Sequence, residues 1–216
     1  IDEIEYKKYT YNDIHLSGNF KKNSFDGMVQ VNDPNGQLYA EGMFRHEGQN
    51  SMFNFTANLQ HFRPDSLNLI DKYESPDISL SLNADFTGNN IDNLEGNITI
   101  DSLSFKTAPS SFFLKKFQVT ASGHSLDRHL TISSDILNGQ VTGAYSFKTI
   151  VPSFMNTFKG YIPALINATQ KKQKVEENNF SLLLTVENTD SISKTLKLPF
   201  TMVSQGRITG HYNNLY

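Results

Sequence analysis

Over Ile78–Phe86 the chain reads ISLSLNADF: Ile78, Leu80, Leu82, Ala84 and Phe86 alternate unbroken with Ser79, Ser81, Asn83 and Asp85. A period of two sends successive side chains to opposite sides of an extended backbone, so this stretch can bury one face only as a β-strand. The pattern recurs along most of the chain. Ile14, Leu16, Gly18 and Phe20 share one face, and Leu38, Ala40, Gly42 and Phe44 repeat it after the turn NDPNG. Phe53, Phe55, Ala57 and Leu59 follow, then Ile98 and Ile100, then Phe117, Val119 and Ala121 before the reversal SGHSLDR. Leu130 and Ile132 precede Val141, Gly143, Tyr145 and Phe147, and Phe180, Leu182, Leu184 and Val186 begin a later series. In that series Leu196, Leu198 and Phe200 read as a further strand, followed by Ile208, Gly210 and Tyr212. Short Asn/Asp/Gly turns between these runs predict about ten or twelve strands in an antiparallel meander.

Within this pattern a motif is written twice, as NGQVTGAYSF over Asn138–Phe147 and as QGRITGHYN over Gln205–Asn213, with a looser copy, NGQLYAEGMF, over Asn35–Phe44. Each copy is expected to be the second strand of a hairpin. Gly139, Gly143, Gly206 and Gly210 fall on the apolar side, where glycine makes room for a neighbouring ring or lets the sheet bend. One segment departs from the alternation. VPSFMNTFKGYIPALINATQKK, Val151–Lys172, carries Phe154, Phe158, Ile162, Leu165 and Ile166 at helical spacing, with Pro152 suited to a first turn. Gly160 and Pro163 predict a kink or two short helices. The expected organisation is an antiparallel β-repeat region over 1–150, an amphipathic helical segment over 151–172, and C-terminal β-hairpin repeats over 173–216 that continue the same sheet.

Ten strands of about 20 Å at roughly 4.8 Å spacing present on the order of 1,000 Å² of apolar face. One helix of about 20 residues covers roughly 300 Å². The sheet must therefore fold onto itself as a sandwich or barrel, or curl into a groove whose apolar interior holds something else. The aromatic and aliphatic stripe assigned to that interior is Phe20, Phe44, Phe53, Phe55, Leu82, Phe86, Phe105, Phe117, Tyr145 and Phe147. These residues are core in a closed fold and lining in an open one, and both place the same atoms on the same face.

Composition narrows the chemistry. The 216 residues include no cysteine, which removes disulfides, thiolate metal sites and cysteine nucleophiles. A net charge of −3 gives no electrostatic footprint for nucleic acid. No apolar run approaches the roughly 18 residues of a transmembrane helix. The chain opens in mid-pattern, IDEIEYKKY, without an initiator methionine, so the expectation is an excised or processed piece with any membrane anchor outside it. His124 and His129 bracket Asp127 and Arg128 in a turn, without the helical spacing of a zinc protease, and the other four histidines are scattered. Carboxylates are dispersed, DSLSF lacks a hydrolase nucleophile elbow, and no phosphate-binding glycine loop is present. The acceptor patterns at Asn54, Asn97, Asn167 and Asn179 are explained by chance in a chain this rich in Asn, Ser and Thr. No catalytic residue, metal site or cofactor is assigned.

The repeated units GNFKKNSFDGMVQVNDPNGQLYAEGMF, Gly18–Phe44, and LEGNITIDSLSF, Leu94–Phe105, resemble the AsmA/TamB class of bacterial envelope proteins. The passage GQVTGAYSFKTIVPSFMNTFKGYIPAL, Gly139–Leu165, is similar to members from Bacteroidetes-type bacteria. The resemblance spans most of the chain and implies a mostly β fold, a repetitive antiparallel sheet curled into a taco-like groove. It also implies a periplasmic location, an inner-membrane anchor outside this chain, a phospholipid or other acyl lipid as ligand, and an outer-membrane β-barrel assembly partner. The function expected is non-enzymatic: shielding lipid acyl chains, or nascent outer-membrane protein strands, between the two membranes. The alternatives are a closed β-sandwich acting as an adhesion or structural module without ligand, and a carbohydrate-binding or -cleaving β-domain.

Overall fold

The computed structural model describes residues 2–48, 50–124, 126–149, 178–198 and 201–213. The strands are β1 (Glu3–Tyr6), β2 (Tyr9–Asn12), β3 (Ile14–Lys21), β4 (Ser24–Asp33), β5 (Gly36–Glu47), β6 (Asn50–Phe62) and β7 (Asp77–Thr87). They continue as β8 (Glu95–Lys106), β9 (Ser111–His124), β10 (Asp127–Ser134), β11 (Leu137–Ala144), β12 (Asn179–Val186) and β13 (Gly206–Asn213). A 3-10 turn occupies Ile91–Asn93 and a short α-helix Asp190–Leu196. The helical segment expected over 151–172 lies outside the described residues.

Eleven strands, β3 to β13, form a single antiparallel sheet in sequence order, and β1–β2 form a separate hairpin. The sheet is open, because β3 and β13 stand at its two ends and do not pair with each other. It is the mostly β, curled antiparallel groove that the alternation and the resemblance led us to expect.

Register explains the alternation. Gly18, Gly27, Gly42, Phe55, Ala84, Ile98, Val119, Ile132, Gly139, Leu184 and Ile208 stand opposite one another in turn, one per strand across the whole sheet. The next row on the same face is Phe20, Phe25, Phe44, Phe53, Phe86, Gly96, Ala121, Leu130, Val141, Leu182 and Gly210. The intervening row, on the opposite face, runs Asn19, Asp26, Met43, Asn54, Asp85, Asn97, Thr120, Thr131, Gln140, Leu183 and Thr209. One face is thus almost wholly apolar and the other almost wholly polar. A one-residue slip anywhere would exchange them, which pins the pairing.

Among the described residues, two clusters of the apolar face are sealed, and Leu67 is buried beside Gly36 and Phe62. At one end Phe105, Phe112 and Leu114 are buried beneath Tyr73, Ile78, Leu103, Ile136, Ile192 and Leu196. Ile192 and Leu196, four apart on the short helix, supply one side of this lid. The strand read above over Leu196, Leu198 and Phe200 is corrected at its first two members, Phe200 lying outside the described residues: Leu196 closes a helix that Lys197 ends in the left-handed conformation, with its N–H and that of Leu198 returning to Lys194 and Ser193 carbonyls. Packing on the Phe105 cluster outweighs the local period. The second covered part joins Val141, Tyr145, Phe180 and Leu182, with Leu130, Phe147, Leu184 and Tyr212 against them.

The written repeat also resolves. The copies at Asn35–Phe44 and Asn138–Phe147 contain β5 and β11, each the second strand of a tight hairpin, with β4 and β10. The third copy, containing β13, is not: the helix Asp190–Leu196 lies between it and its partner β12. The two closest copies instead flank the same strand, with Val141 and Gly210 both opposite Leu182.

Candidate functional site: an apolar groove

The groove floor is built by glycines in register with rings. Gly18, Gly27 and Gly42 face each other on β3, β4 and β5. A Cβ on Gly27 would lie 2.8 Å from Cζ of Phe25, and one on Gly42 would overlap Cδ1 of Phe55. The rings therefore lie flat over bare backbone, widening the face without raising it. Alongside them Phe20–Phe25, Phe44–Phe53 and Phe53–Phe86 sit with centroids 4.6, 5.0 and 4.7 Å apart, the last pair stacked. Such contacts add roughly 0.5–1.5 kcal/mol each beyond area burial and make a stiff aromatic surface.

Of the ten stripe residues, Phe20, Phe44, Phe53, Phe55, Leu82, Phe86 and Phe117 lie on this face by register. Phe20, in edge strand β3, is 70% exposed, and Leu16, beyond Gly18 on the same face, is 54% exposed. Phe44, Phe53, Phe55, Leu82, Phe86 and Phe117 are half-buried. Phe105 is out of phase with Ile98 and Ile100 in sequence. A register shift between Ser79 and Ser81, beside Ser102 at φ +55°, returns it to the apolar face opposite Ile78, where it is sealed. Tyr145 is also packed shut, its ring edge-on to Phe147 and Phe180. Burial pushes its hydroxyl pKa up to about 12, against the opposing pull of Arg128. Phe147 closes one side of a cavity of about 200 Å³ lined by Phe86, Leu94, Gly96, Ile98, Val119, Ala121 and Leu130, with Glu95 and Asn97 at its margin.

Beside this cavity stands a polar cluster that the sequence analysis did not assign. Asp92, in the 3-10 turn, accepts hydrogen bonds from the Phe147 N–H at 2.6 Å and the Ser146 hydroxyl at 3.0 Å. Arg128 Nη1 and Lys148 Nζ each stand 3.8 Å from its carboxylate. Arg128 also lies over the Tyr145 ring at 5.9 Å. Only the odd placement of an arginine in phase with Leu130 and Ile132 could have signalled it.

The other ionisable groups are dispersed. His124 pairs with Glu95 at 2.5 Å and His129 with Asp127 at 3.1 Å, so the two histidines of the SGHSLDR turn do not converge. No group of three or more His, Asp or Glu that could hold a metal occurs among the described residues. No helix among the described residues is long and apolar enough to cross a membrane. Compared with known proteins, the chain matches no family model, no curated protein and no solved structure.

Proposed function

We propose that this chain is a non-enzymatic β-groove domain that shields the acyl chains of a phospholipid or similar lipid, or nascent outer-membrane strands, in transit between two membranes. It would act in the periplasm beside an outer-membrane β-barrel assembly partner, held to the inner membrane by a segment outside this chain, as the resemblance to AsmA/TamB-like proteins implies. One observation carries the reading: two apolar rows run without interruption across eleven strands, and on the edge strand β3 the apolar face is left open, with Phe20 70% and Leu16 54% exposed. A face of this extent needs an apolar partner. A sandwich would supply it as a second sheet, but the other sheet among the described residues is the two-stranded β1–β2 hairpin, tied by Asn12 to Asp33 at the end of β4. Each methylene moved from water onto the face gains roughly 0.8 kcal/mol, so a single acyl chain supplies ample driving force. A featureless lining would let the chain slide.

The test is titration with a fluorescent acyl probe. Wild-type protein is expected to saturate and to brighten the probe. Phe86→Asp, where the aromatic row meets the cavity, is expected to lose binding while keeping the β-sheet circular dichroism signal. Equal binding by Phe86→Asp and wild type would count against the groove.

A further inference from the structure

We infer that the groove takes an anionic amphiphile, its acyl chain on the apolar rows and its phosphate-bearing headgroup at Arg128 and Lys148. This rests on the groove reading above and adds the charge class of the ligand. Arg128 lies one row beyond Leu130 on the apolar face, between Gly123 of β9 and Gly143 of β11. Neither neighbour has a side chain to cover it. A guanidinium placed there as a structural latch would use its donors on Asp92. Instead the Asp92 oxygen nearest to it is already held by Ser146 and the Phe147 N–H, and Arg128 stands off at 3.8 Å. Its Nε and Nη1 are buried without a hydrogen-bond acceptor. An arginine with unbonded buried donors is costly, and an anionic oxygen is the group that removes the cost.

Charge arithmetic points the same way. Arg128 and Lys148 share the single carboxylate of Asp92, which leaves one positive charge among these three side chains. Arg128 keeps 15% of its side chain exposed and Lys148 63%, so a ligand can reach both. The apolar cavity walled by Leu130 and Phe147, neighbours of these two cations in sequence, gives the attached chain its place.

The experiment compares a single-chain phosphatidylglycerol with the neutral monoacylglycerol of the same chain length, both below their micelle concentrations. Wild-type protein is expected to bind the phosphate-bearing compound about tenfold more tightly, the scale of one charge-assisted hydrogen bond. Arg128→Gln is expected to bring the ratio close to one. Lys148→Gln, at an exposed position that does not bear on folding, is expected to lower the ratio severalfold and decides the matter if Arg128→Gln does not fold. Equal binding of the two compounds by wild type, or an unchanged ratio in Lys148→Gln, overturns the inference and leaves the groove reading intact. Displacement of the anionic compound by equimolar inorganic phosphate would make this a free-anion site and overturn it as well. Binding of neither compound removes the groove reading and this inference together.

Discussion

Gly143 and Gly210 hold the same place in the two copies of the written motif, yet alanine should have opposite effects at the two positions. Gly143 has φ +127°, a region that side-chain-bearing residues rarely adopt. A Cβ there would overlap the Asn179 carbonyl oxygen and lie 2.9 Å from Cα of Phe180, a residue only 1% exposed in the core between β11 and β12. Backbone strain of about 1–3 kcal/mol adds to a similar cost for overpacking against a fixed strand, so Gly143→Ala is expected to destabilise by roughly 3 kcal/mol. For a chain of this length that is a fall in Tm of roughly 6–12 °C. At Gly210 a Cβ would meet nothing within 4 Å, and the backbone is not in the left-handed region. There alanine removes unfolded-state freedom and is expected to be neutral or to stabilise by up to about 1 kcal/mol. Urea and thermal melts followed by circular dichroism measure both. Equal effects at the two positions, or a neutral Gly143→Ala, would refute the register and core contacts described above.

Two further outcomes follow from the same structure. Phe180→Ala, in the sealed cluster, is expected to cost about 3–5 kcal/mol, whereas Phe20→Ala, on the open face with its ring contact to Phe25 to lose, is expected to cost about 1 kcal/mol; paired urea melts distinguish them. Burial opposes ionisation of Asp33, but hydrogen bonds from the Tyr9 hydroxyl and from Asn35 and Asn12 outweigh it and hold its carboxyl below the usual range. The stability this adds is complete above the unfolded carboxyl value of about 4 and is lost as pH falls through the lower folded value. Amide exchange in β1–β2 is therefore expected to accelerate below about pH 4 in wild type, and to lack that step in Asp33→Asn.

The strands were legible because each apolar run keeps its phase on a sheet with one wet face; Ile78–Phe86 shows this most plainly. What escaped the sequence was set by contacts distant in the chain. The bulge that turns Phe105 inward depends on pairing with β7, and local spacing does not record it. At Leu196 the alternating pattern lost to a helix because Ile192 and Leu196 pack on Phe105, Phe112 and Leu114. The β1–β2 hairpin exposes Ile4 and Tyr6, so it offered no buried face to read. Within the candidate site, the aromatic rows were visible as composition plus period. The Asp92–Arg128–Lys148 cluster was not, because the 3-10 turn carrying Asp92 meets β10 only in the folded chain.

Whether the apolar face is an open seat for an acyl chain is addressed most directly by native mass spectrometry of the protein, purified without detergent and then incubated with a single-chain phospholipid. The expected spectrum shows an adduct of one lipid mass that persists in the gas phase and disappears in Phe86→Asp. A wild-type spectrum that stays at the mass of the bare polypeptide, with no lipid retained, would contradict it.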